Sequence, residues 1–519
     1  MITASDTFHN KAQGQVIHPI AKLYMSITKI LNELVSYFTL DQSTLDGTDI
    51  LKSSDDLPIQ LWDKYSYTDF TDRLVSLDIE RSIEFPYNVQ CAQADFKVNN
   101  FDKYFTPGNS SSPINDYNLP GRPVKLYGGF WGETPLPQFV GITQDMPDVN
   151  HKEATVSYHA IDFLSEICAQ DLNQTIAMQD ATTDEVLIKI VEQFGVLPHQ
   201  YSFETGSNVI PFVFFNVGDN AGGVIKKLMQ AEGGQFWLDE QGILRFRKRY
   251  SIPTQVSLVL PEYSIISVTP KSTSTMINHV KITTEVREVQ EWQDVYQKSP
   301  STDTISPSLW VVPAGGTYTT DCNLEDPCLS VQTPTLGKAS GVSWFTAKTS
   351  GGTYITTNIT ATGSLSTNAY TVTFTNNNTM PVEIDELKLW GQPAKVIDVI
   401  DYDAYEDESV EKYGEHILHI EDNNFIQNYE SANSLGVYLL RDRAFYNQAL
   451  ELEVKGNWAL QLNDVIELEG EWSGTYVIDS IAYHLEAGQL STRMTVHEIE
   501  LITYFTLDQS ELDGSDVLA

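Results

Sequence analysis

The run 119-LPGRPVKLYGGFWGETPLPQFVGITQDMPDVNHKEATVSYHAIDFL-164 decides the fold class. Three segments in it alternate apolar with small or polar residues at period two. They are Arg122–Tyr127, the segment opening Gln138-Phe139-Val140-Gly141, and Ala154–Ala160, which runs on into Asp162-Phe163-Leu164. Successive side chains leave a strand on opposite faces, so this period marks half-buried antiparallel strands. A glycine- and proline-rich excursion separates the first two segments, and a polar turn at Pro147–Lys152 separates the last two. The stretch holds no catalytic constellation and reads as part of a barrel wall.

Working outward, residues 57–173 read as one all-β domain, broken by a polar loop at Thr106–Leu119. After a linker at Cys168–Asp180 the period changes. Thr182-Thr183-Asp184-Glu185 is a capping box, and Val186, Leu187, Ile190, Val191 and Phe194 follow at helical spacing until Gly195 stops them. A second helix near Ala221–Glu232 ends at Gly233-Gly234 and flows into a hairpin, Gln235–Leu238 and Ile243–Arg249. Together these predict a smaller α+β domain over 174–250. Its basic tip, Arg245 to Arg249, reads as a solvated strand face around a buried Phe246.

Strand patterns return over 251–297 and resume at 395–428, which predicts a central β domain with an insertion. The insertion, 298–394, is rich in Thr, Ser, Asn and Gly and reads as a β-sandwich of short strands. Such a module is a candidate carbohydrate binder, with Trp310, Trp344 and Tyr354, flanked by Tyr318 and Phe345, as a possible glycan platform; the alternative is that these rings fill the sandwich core. Asp398–Lys412 is acidic but lacks the glycine and glutamate positions of a calcium loop, and reads as a solvated edge. A helix around Tyr429–Tyr446 opens a last segment, 429–503, whose alternation from Ala449 to Leu501 predicts a second barrel. The fold class is therefore mainly β, with barrel-like domains, a smaller α+β domain and an inserted β-sandwich.

A leader, 1–56, and a tail, 504–519, complete the chain, and they echo one another. Tyr37–Leu51 and Tyr504–Leu518 differ only at Thr44/Glu511, Thr48/Ser515 and Ile50/Val517. Each pairs an alternating segment with an Asp-Gly turn. One reading makes both copies edge strands of similar barrels. The other makes them assembly elements that add as strands to neighbouring subunits. The candidate interface residues are then Tyr37, Phe38, Leu40, Asp46 and Gly47, with Tyr504, Phe505, Leu507, Asp513 and Gly514.

The net charge of −38, from 70 acidic and 32 basic residues, argues against a nucleic-acid groove, which needs a basic footprint. It also opposes docking on an anionic membrane. Beyond solubility, such a surface suits one past which another polyanion moves without sticking. The first residues, MITASDTFHNKAQGQ, lack the basic, apolar and small-residue zones of a signal peptide, and no apolar run is long enough to span a bilayer, so a soluble protein without an export address is expected. Four cysteines make no disulfide framework, although Cys322 and Cys328 sit close enough in sequence to close a loop. His416 and His419 lack the order of a zinc-protease motif, and no nucleophile elbow or phosphate loop is present. No enzyme, no cofactor and no metal are expected.

The pattern GRPVKLYGG, FVGIT, ATVSYHAIDFLSEI resembles the first barrel of tailed-phage tail-tip hub, or baseplate hub, proteins. Asp78–Pro86, Ala94–Asn100, Tyr104–Gly108 and the closing run Leu462–Glu500 fit the same order. The resemblance implies a homotrimer in which two barrels per chain build a quasi-sixfold ring, matching a tail tube and narrowing to a threefold tip. It implies the virion as location, with assembly in the host cytoplasm. The partners implied are the tube or distal tail protein, the tape-measure protein, and a central fibre or other tip proteins, with phage DNA passing through unbound. An adhesin that meets host cell-wall glycan through 298–394 is the rival expectation, and a tail-associated lysin a third. The long leader and the inserted sandwich depart from a minimal hub.

Overall fold

A computed structural model describes Phe8, residues 11–12, 18–27 and 66–499, apart from 85–88, 250, 252–254, 272–275, 299–309, 367–368 and 446–448. The protein is mainly β with a small helical region, and no sheet closes into a true barrel. Three apolar cores organise it, one made jointly by the first and last parts of the described chain, one around the helices, and one inside 310–389.

The first part contributes β1 (Pro19–Met25), β2 (Leu74–Glu84), β3 (Val89–Asn99), β4 (Pro123–Phe130), β5 (Leu136–Thr143), β6 (Asp148–Asn150) and β7 (Thr155–Asp162). Alternation is strict in β3, where Ala92, Ala94, Phe96 and Val98 are buried and Cys91, Gln93, Asp95 and Lys97 are exposed. The strands β3, β7, β5, β4 and β1 pair in that order, all antiparallel. The ring is completed only by the short Thr68–Asp69 segment, which pairs with β1 just before β2 begins. That closing ladder has only two residue pairs, Tyr24↔Asp69 and Met25↔Thr68, short of the true barrel expected.

The glycine excursion of the sequence reading is a strand. β4 runs on through Gly128-Gly129 to Phe130. A Cβ on Gly128 would stand 2.3 Å from Trp458 Cδ2, so only glycine lets this indole seat against β4. Trp458 is fully buried, and its carbonyl accepts from Gln138 Nε2 at 2.8 Å.

After α1 (Phe163–Ala169), β8 (Ile176–Thr182) leads into α2 (Thr183–Glu192), where the Thr182 amide donates to Glu185 Oε2 at 3.0 Å as the capping box requires. β9 (Val209–Phe215) pairs with β8. α3 (Ala221–Glu232) stops at Gly233, whose φ of +66° is the left-handed cap a glycine supplies. The hairpin β10 (Gln235–Leu238) and β11 (Leu244–Arg247) follows.

β12 (Leu258–Leu260) and β13 (Ile265–Lys271) do not pair with the strand that follows them. They join the closing segment, β17 (Ala449–Lys455), β18 (Val465–Leu468), β19 (Gly474–Glu486) and β20 (Gln489–Glu498). β12 runs parallel to β18 and β13 antiparallel to β17. β14 (His279–Val289) instead pairs with β15 (Val382–Tyr405) along its whole length. β15 is a single 24-residue strand. Its first half is a wall of the 310–389 sandwich, and its second half packs under α5 (Tyr429–Arg443). Between the two, residues 395–399 are exposed on both faces, so a two-stranded ribbon carries the sandwich. The acidic stretch after it is the end of β15, then α4 (Asp407–Tyr413), then β16 (Ile417–Glu421), which lies parallel to β14 on its other side.

Candidate functional site

The first and last segments fuse through one ladder, β2 against β19, from Ser76↔Glu486 to Ser82↔Ser480. The result is a continuous antiparallel sheet in the order β13-β17-β20-β19-β2-β3-β7-β6. Among the described residues, β13 has a ladder only with β17 and the three-residue β6 only with β7, while β7 also continues past β6 into β5, β4 and β1, so β13 and β6 each keep one unpaired side. β2 and β19, each already paired within its own half, are also paired with each other.

One face of this sheet covers the shared core, and the other is exposed. On the exposed face a row of side chains crosses the strands at matching register: His159, Asp95, Asp78, His484, Ser491. His159 Nδ1 stands 2.8 Å from Asp95 Oδ1, and His484 Nδ1 stands 2.5 Å from Asp78 Oδ1. Asp78 and Asp95 are direct cross-strand neighbours, a like-charge pair that costs stability unless something offsets it. Glu80 and Gln93 form the next row, with Arg493 beyond, and Glu486 lies on the other side. A shallow concavity of about 400 Å³ lies over Asp78, Glu80, Gln93, Asp95, His484 and Arg493. Farther out, Glu451 is held below the usual carboxylate range by its hydrogen bond to Lys271.

Behind the sheet the polarity reverses. Arg81, next in β2 to Glu80, points inward and is buried. Its Nη1 lies 2.5 Å from Glu240 Oε1, at the turn of the β10–β11 hairpin, and its Nη2 donates to the Gln138 carbonyl. Glu240 Oε2 also accepts from Gln461 Nε2 at 2.5 Å. The Gln461 backbone N–H donates in turn to Asp464 Oδ2 at 3.0 Å. Burial pushes the Asp464 carboxyl up to about 7. The hairpin turn is thus a polar plug between the two halves of the shared sheet. Sequence reasoning misses it, although one signal is there. Arg81 has the parity of Leu77 and Ile79, the core side of β2.

The sequence-derived site residues fall elsewhere. Tyr37, Phe38, Leu40, Asp46, Gly47, Tyr504, Phe505, Leu507, Asp513 and Gly514 lie outside the described residues. Of the glycan platform, Trp310 is buried against Phe374 and Tyr318, with Lys298 Nζ 3.5 Å from its ring centre. Trp344 is buried on the opposite face of its strand under Lys338. Tyr354 alone is exposed, and its hydroxyl donates to Asp385 Oδ2 at 3.1 Å. The basic tip is absorbed locally: Arg245 pairs with Asp239 at 2.9 Å, Arg247 Nη2 donates to Gln235, and Arg249 is buried. Cys322 and Cys328 are free thiols, both pushed up to about 12 by burial. Among the described residues no group of His, Cys, Asp and Glu is placed to hold a metal ion, and no helix is long and apolar enough to cross a membrane. The sequence carries no catalytic motif.

No family model matches the chain, and no curated protein does. Among solved structures it is similar to the 43 kDa tail protein of prophage MuSo2 from Shewanella oneidensis, at 11% identity and a TM-score of 0.43, over 83% of this chain and 95% of that one. It is similar to the tail protein from Neisseria meningitidis MC58, at 9% identity and a TM-score of 0.45, over 83% and 94%. It is also similar to the prophage tail protein gp18 from Listeria monocytogenes, at 12% identity and a TM-score of 0.41, over 84% and 91%.

Proposed function

We propose that this protein is a structural component of a phage tail tip, a homotrimeric hub that caps the tail tube and adapts its sixfold symmetry to a threefold tip. The observation that carries the reading is the shared sheet, with its acid-bearing exposed face and two unlike strands, β13 and β6, that each keep one unpaired side. A sheet whose ends differ satisfies its edges by adding to another copy head to tail, and such contacts close into a ring when the rotation fits. In the proposed ring, β13 of one copy lies along β6 of the next, and Asp78, Glu80, Asp95 and Glu486 face the channel. Carboxylates on that wall repel a passing polyanion within the Debye length of about 8 Å. DNA and the tape-measure protein then move through without sticking, and the tube protein seats on the ring.

The test is assembly. Light scattering and negative-stain averages of the purified protein should give a trimer with a central channel. In a Cys91→Ser background, Ser267→Cys on β13 with Asn150→Cys on β6 should give cross-linked dimers and trimers on oxidation. A monomer that stays monomeric when tube protein is added would overturn the hub. The rival adhesin reading would rest on Tyr354 alone, since Trp310 and Trp344 offer no open ring face.

A further inference from the structure

His279 opens β14 and is buried, although it stands on the outer face of the β16-β14-β15 sheet, opposite Val280 and Ile282 of the core. Both of its ring nitrogens meet carboxylates. Nδ1 is 2.5 Å from Glu415 Oε1 and Nε2 is 2.6 Å from Asp403 Oδ1. His159 meets Asp95 at 2.8 Å, and the second carboxylate beside His484 is 3.7 Å away. A neutral imidazole has one N–H and one lone pair, so it can donate to only one of two carboxylates. Only the imidazolium can donate at both contacts at once.

We infer that His279 is a proton-controlled latch, fastening the edge strand β16 to β14 when charged and releasing Glu415 when neutral. The geometry explains what is released. Asp403 sits on β15, which pairs with β14 on one side. Glu415 sits in the connection from α4 to β16, the strand on the other side. Asp403 keeps a second cation, Lys281 Nζ at 3.4 Å, and its carboxyl is held low first by the His279 hydrogen bond. Glu415 depends on His279 for its ion pair, so Glu415 is the partner that lets go. Tyr405 stacks edge-on to the imidazole at 5.7 Å between ring centres. Asp401 and Glu285 share the face from β15 and β14, and His419 and Glu421 from β16. The segment 414–417 is then held by Asn278, which donates to the Gly414 carbonyl and accepts from the His416 amide. β16 is poised to loosen because it has no second neighbour among the described strands.

Histidine changes charge between about pH 5 and 8 when unperturbed. Hydrogen exchange of the full chain, corrected for intrinsic rates, should show protection of 414–421 falling at least about fivefold between pH 5.5 and 8.5, a change of about 1 kcal/mol. In the same experiment 92–98 of the shared sheet should not change. His279→Gln should give low protection at both pH values, since an amide offers one donor group and one acceptor. Should that variant fail to fold, Glu415→Gln gives the second reading. Its amide accepts from the charged ring and donates to the neutral one, so protection should be retained and become flat with pH. The ring ¹⁵N shifts of His279 should show both nitrogens protonated at pH 5.5. A neutral tautomer there, or wild-type protection independent of pH, overturns the latch.

Discussion

Two sides of one strand show what burial does to a charge. In β2, Asp78 and Glu80 face outward while Ile79 and Arg81 face the core. The outward acids meet histidines and one another in water, where an ion pair is worth at most about 1 kcal/mol. Arg81 meets Glu240 with neither side chain more than a tenth exposed. Removing one partner there leaves the other charged and without solvent. Charged residues one position apart are disposable on one face and indispensable on the other.

The largest test of that contrast is Arg81→Ala. It should cost about 3–5 kcal/mol, because Glu240 is left buried and uncompensated. Denaturant midpoints would read it, and Glu240→Gln in the same background should recover part of the loss. A cost below about 1 kcal/mol would mean that the plug is solvated and the contrast false. A second test asks how firmly the two halves are seated. Gly128→Ala brings a Cβ against the Trp458 indole and should cost about 1–3 kcal/mol by overpacking. Trp458→Leu combined with it should be less harmful than the two costs added, since the clash is removed.

The third test uses pH. The Asp464 carboxyl titrates near 7 in the folded protein, well above the ordinary aspartate range, so the folded state holds a proton that the unfolded state has lost. Below about pH 4 both states are protonated and the group is neutral toward folding. Stability then falls as pH rises from about 4 to about 7, and the deficit is constant above that. Asp464→Asn keeps an acceptor for the Gln461 amide and removes the titration. Relative to wild type, the variant should gain stability on going from pH 5 to pH 8, as thermal midpoints at the two values would show. A parallel pH response in both proteins would place the proton elsewhere.

What is legible in the sequence follows the same divide. Period two marks β3 and β7, and caps mark α2 and α3, because those signals are local. The glycines of β4 read as a break, since the indole that requires them is Trp458, far along the chain. Adjacency groups β13 with β14, yet its partner is β17, and nothing in either strand names the other. Glu240 lies in an Asp-Glu-Gln-Gly turn that reads as solvent-facing, and only the meeting of two distant segments buries it. Trp310 and Trp344 carry two readings in the pattern alone, core or platform, and their burial is set by strands distant in sequence.

The smallest effect on folding belongs to the exposed row. Asp78 and Asp95 face each other directly, so Asp95→Lys replaces a like-charge neighbour by an opposite one and should shift stability by no more than about 1 kcal/mol. Its effect on polyanions should be larger than its effect on folding. With Asp78→Lys added, retention of a short DNA duplex on the immobilised protein should rise at about 0.05 M salt and fade toward 0.15 M, as screening shortens from above 10 Å to about 8 Å. The same pair of changes at exposed acids away from the sheet, Glu430 and Asp422, supplies the control. Equal retention by both double variants would show that net charge, rather than this face, governs contact with DNA, and the channel would have to be sought on another surface.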